Sequence, residues 1–305
     1  MAFTAYGLIC AAGVLAGLAA AIPDTLRRGH GWDAWVRFAV LTALCGWVCA
    51  RLAFIVPDLI MGVLSRHDII MEHSSVFLDH IGSAVPALYF WEGGYALAGA
   101  IPGSILGAWI AEKRTGVRRG FFRDRLSLGL PLFIAAERLA EGEALYRYEA
   151  LLAAAVLAVM IVLHLRARDR NTDGDLLRIF LVIFCLPLAW IESFRPLTGH
   201  MVIHFVNVTQ VAAAVTGLAP AVRWSVLLRR GRVKRGLKAG LLAGGWVLIL
   251  AMVGLAVFCI FGMEKDWIGR GPAHALIAVS LSLIGAESLV FRRFAAGKGN
   301  QTHGA

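Results

Sequence analysis

Charge is what this sequence has least of. Of its 305 residues only 16% are Asp, Glu, Lys or Arg, where a soluble domain carries roughly a quarter. A helical protein in water must cover itself with polar surface, and that supply is missing. Cysteine is sparse as well. Cys10, Cys45, Cys49, Cys185 and Cys259 all lie in apolar runs and form no CxxC, so neither a zinc site nor a disulfide framework is indicated. They read as small core hydrophobes. No HExxH is present, which removes the commonest helical zinc-hydrolase pattern. His200 and His204, one turn apart, and His73 and His80, in a loop, read instead as interfacial polar residues. No metal and no other cofactor is expected. The opening run, MAFTAYGLICAAGVLAGLAAAI, lacks the basic residues that begin a signal peptide, so no cleavable leader is expected. The two halves show no inverted repeat of the transporter kind.

What is abundant is apolar sequence. Hydrophobic residues make up 59% of the chain, mean hydropathy is +0.71, and several stretches approach the roughly 20 residues a helix needs to cross a bilayer. The expected fold is an all-α polytopic membrane protein with about nine transmembrane helices. Spans are predicted near 3–22, 36–56, 90–110, 126–145, 148–165, 176–194, 201–222, 239–262 and 272–291.

The basic residues orient these spans. Alternate connections hold Arg27, Arg28 and Arg37; Lys113, Arg114, Arg118, Arg119, Arg123 and Arg125; Arg166, Arg168, Arg170 and Arg178; Arg223 through Lys238; and Arg292, Arg293 and Lys298. The opposite side keeps only Arg51, Arg66, Arg138, Arg147, Arg195, Lys265 and Arg270. Cytoplasmic loops are the basic ones, so the N-terminus is expected outside and the C-terminus in the cytoplasm. An eight-span map would strand a basic loop on the wrong side. The net charge of +10 then serves orientation and anionic lipid headgroups, and nucleic acid is not an expected partner.

Polar residues within the spans gather at one depth. A charge inside a span costs about 2.5–3.5 kcal/mol on insertion scales, so such residues face a cavity, pair, or do chemistry. At ~1.5 Å rise per residue, Arg51 falls about 9 Å below the outer end of its span and Glu192 about 20 Å up from the inner end. Tyr6 opens the first span. His204, Asn207 and Gln210 lie in the outer half of the seventh, and Glu137, Glu141, Glu143 and Glu149 cluster where the fourth and fifth meet. Structural alternatives stand beside each: Arg51 snorkelling to headgroups, Arg138 pairing with Glu141, Glu192 pairing with Arg195. As a set they describe a polar pocket open to the outer leaflet, with fixed cations suited to a phosphate.

The segment YFWEGGYALAGAIPG, Tyr89 to Gly103, fits that picture. Tyr89, Phe90 and Trp91 form an interfacial aromatic belt, with Glu92 at headgroup level. Gly99, Gly103 and Gly107 follow at four-residue spacing, the pattern that lets helices approach closely, and Pro102 can bend the helix there.

These pieces together resemble the prolipoprotein diacylglyceryl transferase family. Tyr6-Gly7 match the Tyr-Gly of its first helix, and CARLAFIV the end of its second, through Arg51. Trp91, Gly93, Gly94 and Gly99 follow its Trp-x-Gly-Gly segment, and LPLFIAAERLAEGE its arginine signature, through Arg138. Tyr148, Glu149, Glu192 and Arg195 match its Tyr-Glu helix and later Glu-Phe-Phe-Arg; Gln210 and Gly217 match its last core helix. The resemblance covers about 4–222. Departures are specific: Ala98 stands at the family's histidine, Leu188 at its second arginine, the signature's asparagines are absent with Glu141 and Glu143 in that region, and only nine residues separate Arg138 from Tyr148.

The resemblance implies a seven-helix transferase-like core over 1–222, a basic cytoplasmic linker over 223–238, and two additional helices with a short tail over 239–305. It implies a bacterial inner-membrane enzyme moving diacylglyceryl from a phosphatidylglycerol-like lipid to the lipobox cysteine of a preprolipoprotein, whose signal peptide would be a partner. The alternative is a non-catalytic descendant that binds lipid or a protein. Arg138, Glu192 and Tyr6 are the implied catalytic residues. Arg51, Gly93, Gly94, Glu141, Tyr148, Glu149, Asn207 and Gln210 are the implied substrate-binding residues.

Overall fold

The computed structural model describes residues 5–64, 97–141, 144–167, 174–194, 201–203, 206–230 and 235–296. The described residues are helical almost throughout, in ten helices: α1 (Ala5–Ala19), α2 (Ile22–Arg27), α3 (Trp32–Leu64), α4 (Leu97–Thr115), α5 (Phe121–Glu141), α6 (Ala144–Arg166), α7 (Asp175–Glu192), α8 (Val208–Arg230), α9 (Arg235–Glu264) and α10 (Arg270–Ala296). All but the six-residue α2 answer to a predicted span, and the fold is that of a polytopic membrane protein. Six stretches among the described residues are long and apolar enough to cross a bilayer. The stretches on α4, α5 and α7 are not among them. α7 illustrates why: Asp175, Arg178 and Glu192 sit within its 18 residues, while nearly every other side chain is apolar and buried. A helix apolar all round is a core helix.

One predicted boundary differs in kind of structure. The span expected to start at 201 begins as a helix only at Val208; Met201–Ile203 and Val206–Asn207 pair as two short antiparallel strands, Met201 opposite Asn207. The run MVIHFVN is rich in β-branched and aromatic residues, which suit a pleated strand.

The chain forms two compact units. Unit 2 holds 14–130 with 172–174; unit 1 holds 1–13, 131–171 and 175–305. The two divisions between 1 and 141 therefore fall inside α1 and α5. Segment 223–238, expected as a linker, contains the last turns of α8 and the first of α9, and α8, α9 and α10 all belong to unit 1.

In unit 2, α3 and α4 run antiparallel with their backbones in contact. A Cβ on Gly99 would strike the Cys49 carbonyl, one on Gly103 the Cys45 carbonyl, and one on Gly107 the Leu41 carbonyl. Three glycines four apart thus meet three positions four apart, so the close-packing reading of the glycine stripe holds. α1 crosses α5 the same way, each of Gly17 and Gly129 leaving room for the other's carbonyl.

The turn from α4 into α5 passes through Gly116 and Gly120, both at positive φ. It is gathered on one buried carboxylate. Glu112, 3% exposed, accepts from the backbone amides of Gly120 (2.9 Å) and Arg123 (3.1 Å) and from the Arg123 Nε (3.0 Å). A carboxylate taking up the free amides of a helix start satisfies groups that the helix itself cannot. Arg125, also buried, pairs with Asp24 at 3.0 Å. Two arginines expected only to orient a loop are thus built into it. The five cysteines lie on helices and form no disulfide.

In unit 1, α7 lies antiparallel to α8 and α10. Its first residue, Asp175, accepts from Trp224 Nε1 at 2.8 Å, near the end of α8, and from Arg292 Nε at 2.6 Å, near the end of α10. At its other end, Trp190 Nε1 donates to the carbonyl of His274, in the first turns of α10, at 3.0 Å. Gly217 of α8 admits the side chain of Leu186.

Candidate functional site

A buried arginine at the end of α5 anchors the site. Only residues 142 and 143 separate α5 from α6, so α6 folds straight back and returns Glu149 to Arg138. The Arg138 Nε lies 2.8 Å from Glu149 Oε2 and 3.8 Å from Glu137 Oε2, and Nη1 lies 2.6 Å from Glu141 Oε2. Its guanidinium carbon sits 4.7 Å from the ring centroid of Tyr146. Arg138 and Glu137 are each 6% exposed and Glu149 is fully buried.

One cation facing three carboxylates has consequences. Removing the arginine would leave anions buried without compensation, which is far more damaging than losing a surface pair. The aromatic face of Tyr146 covers the guanidinium without competing for its donors. The local structural alternative, Arg138 pairing with Glu141, is realised here. It accounts for one donor, and the pairs with Glu137 and Glu149 make the assembly more than a helix-surface contact.

The other predicted residues are placed as follows. Glu192 is the last residue of α7, 2% exposed, and Gln210 lies in the first turn of α8, 8% exposed. Both belong to unit 1, on helices that pack together. Tyr148 is 64% exposed on α6; the tyrosine over Arg138 is Tyr146, two residues earlier. Tyr6 lies on α1 and Asn207 on β2. Arg51 lies on α3, half-buried, in unit 2. Gly93, Gly94, Trp91, Glu143, Arg195, His200, His204, His73 and His80 lie outside the described residues. Among the described residues no group of three or more His, Cys, Asp or Glu is placed to hold a metal ion.

Sequence reasoning missed a second polar cluster in unit 1. Ser193 Oγ lies 2.6 Å from the Trp190 carbonyl and 3.0 Å from His274 Nδ1, and the Phe194 ring stacks on the His274 imidazole at 3.9 Å and 16°. His274 lies 81 residues from Ser193 and beyond the stretch that carries any motif. No local pattern could have joined them.

Residues 1–141 match the family model described as prolipoprotein diacylglyceryl transferase. Over that stretch the chain is similar to this family. The match ends at Glu141, so it contains Tyr6, Arg51, Arg138 and two of the three carboxylates around Arg138, and stops short of Glu149. Two curated relatives are each named phosphatidylglycerol–prolipoprotein diacylglyceryl transferase. The one from Frankia alni is 25% identical over 249 residues, 71% of this chain and 62% of its own. The one from Frankia casuarinae is 23% identical over 179 residues, 48% of this chain and 43% of its own. The chain thus spans less than two thirds of either family member. No solved structure matches it.

Proposed function

We propose that this protein is a membrane-embedded transferase of the diacylglyceryl transferase type, acting on a phosphatidylglycerol-like lipid and the lipobox cysteine of a preprolipoprotein. The observation that carries the reading is the buried Arg138 within the family-matched stretch, paired with Glu137, Glu141 and Glu149. A preorganised cation aimed at developing negative charge is commonly the largest catalytic contribution. Here the charge develops on the leaving phosphate.

In the reaction the cysteine sulfur attacks the glyceryl carbon of the lipid. The carbon–sulfur bond forms as the carbon–oxygen bond to phosphate breaks, and the phosphate departs with the electron pair. The thiol proton passes to a base. Arg138 binds the phosphate, with Arg51 as a second headgroup cation. Glu141 and Glu149 fix the Arg138 plane, and Glu192 or Glu141 orients the two arginines. Tyr6, Tyr148, Asn207, Gln210 and the Gly93-Gly94 backbone contact the lipid.

The test is direct. Full-length protein in phosphatidylglycerol vesicles, given a lipobox peptide, should add one diacylglyceryl mass to the peptide cysteine. No gain, beside an active family member run in parallel, overturns the proposal. The basic connections further support an orientation with the N-terminus outside and the C-terminus in the cytoplasm of a bacterial inner membrane. Single cysteines introduced at each terminus, probed with an impermeant thiol reagent, should label only the N-terminal one in intact cells.

A further inference from the structure

We infer that His274, on a helix beyond the family-like core, is the proton acceptor for the incoming thiol, and that Ser193 is the residue that sets its tautomer. The inference rests on the proposed transferase reading. Its starting point is a count of protons around one hydroxyl. Ser193 Oγ touches the Trp190 carbonyl at 2.6 Å and His274 Nδ1 at 3.0 Å. A serine has one proton to give, and a carbonyl can only accept. The shorter contact, to the carbonyl, therefore takes the hydroxyl proton. Oγ must then accept from Nδ1–H. That places the imidazole proton on Nδ1 and leaves the lone pair on Nε2, the arrangement a neutral histidine needs to act as a base.

The surroundings hold the ring in place. Phe194 covers one face, and Trp190 Nε1 fixes the His274 backbone carbonyl at 3.0 Å. Nε2 makes no hydrogen bond to any described residue, and His274 is only half-buried. The position within unit 1 is also telling. Ser193 directly follows Glu192, the buried last residue of α7. α10 begins at that end of α7, as the Trp190–His274 bond shows, while the Asp175 bonds hold the far ends together. α6, which packs on α7, starts beside Arg138 at the turn from α5. The other described histidine within a long helix of unit 1, His164, is unsuited: it is buried, and its Nδ1 is bonded to the Met160 carbonyl at the opposite end of α6.

In the step itself the thiol S–H proton moves to Nε2 as the sulfur–carbon bond forms. The phosphate leaves with the electrons of the broken carbon–oxygen bond. The imidazolium then returns its proton to the departing phosphate or to water, restoring the Nδ1–H form.

The test uses the full-length protein in phosphatidylglycerol vesicles with a lipobox peptide, and a nitrogen NMR measurement on histidine-labelled protein. His274→Asn keeps an N–H toward Ser193 but has no basic lone pair. It should lower the turnover rate by about 100-fold or more, the usual scale of general-base catalysis, with KM for the lipid unchanged. Ser193→Ala should lower it less, and should shift the His274 resonances from the pure Nδ1–H pattern to a mixture of tautomers. An active wild type whose His274→Asn variant turns over equally fast overturns this inference and leaves the transferase reading intact. So does an Nε2–H pattern in the wild type, whatever the activity. A wild type that transfers nothing overturns both.

Discussion

Unit 1 ties its helices together with two charge knots of opposite sense. At one, a single arginine, Arg138, faces Glu137, Glu141 and Glu149; at the other, a single carboxylate, Asp175, faces Arg292 at 2.6 Å, Arg178 at 3.7 Å and the Trp224 indole. The first has an excess of negative groups and the second of positive ones. The second lies at the end of α7 expected to be cytoplasmic, so its bias agrees with that of the basic loops. They differ in solvent access too. Arg138 and Glu149 are 7% and 0% exposed at the side chain, whereas Arg292 and Asp175 are 39% and 21% exposed. Water and salt can therefore screen the Asp175 knot and barely reach the Arg138 one. The Asp175 knot is a clamp. The Arg138 knot is a clamp and, in the proposed function, also the site.

The sharpest way to break that comparison is to delete each centre. Arg138→Ala should be the most damaging single change, with about 3–5 kcal/mol of stability lost as buried anions lose their partner, and transfer abolished. Thermal unfolding in detergent reads the first and the peptide mass assay the second. Arg138→Lys separates the two effects: more of the stability should survive than of the activity, because an ammonium cannot reproduce the planar fork. Equal loss of both would sink the assignment of Arg138 to catalysis. Asp175→Ala should cost about 1–3 kcal/mol, in line with the loss of charge-assisted hydrogen bonds, while the rate per folded molecule stays at wild type. A rate deficit there would erase the distinction between the two knots.

Smaller changes sharpen it further. Gly107→Ala should cost about 1–3 kcal/mol by overpacking, since the new methyl meets the Leu41 backbone; Gly254→Ala, with open space around it, should be neutral or slightly stabilising. Unfolding midpoints of the two variants make the comparison. Last, Tyr146→Leu should remove about 1 kcal/mol of cation–π attraction, whereas Tyr148→Leu, at an exposed position, should stay within about 0.5 kcal/mol. Equal effects of the two would show that the ring over Arg138 contributes nothing.

Tyr146 and Tyr148 also show where reading the sequence stops. Both stand in the same helical turn, and Tyr148 is the one preceding Glu149 in the motif. Which of them meets Arg138 depends on how α6 is rotated about its own axis against α5, and no motif encodes a rotation. The Glu137–Glu149 cluster, by contrast, was legible because four glutamates near a turn are close in sequence. Ser193 and His274 were not, because nothing local links them.

The sequence alone determined the solvent, the number and approximate limits of the long helices among the described residues, and the glycine stripe along which α3 and α4 touch. Those properties depend on sums and spacings along a continuous stretch: apolar length against bilayer thickness, and small residues repeating with the helical turn. Only the tertiary structure decided which charge meets which. Ion-pair partners and a histidine's tautomer depend on separations of about an ångström between helix ends far apart in the chain, and those are fixed by packing the whole bundle at once.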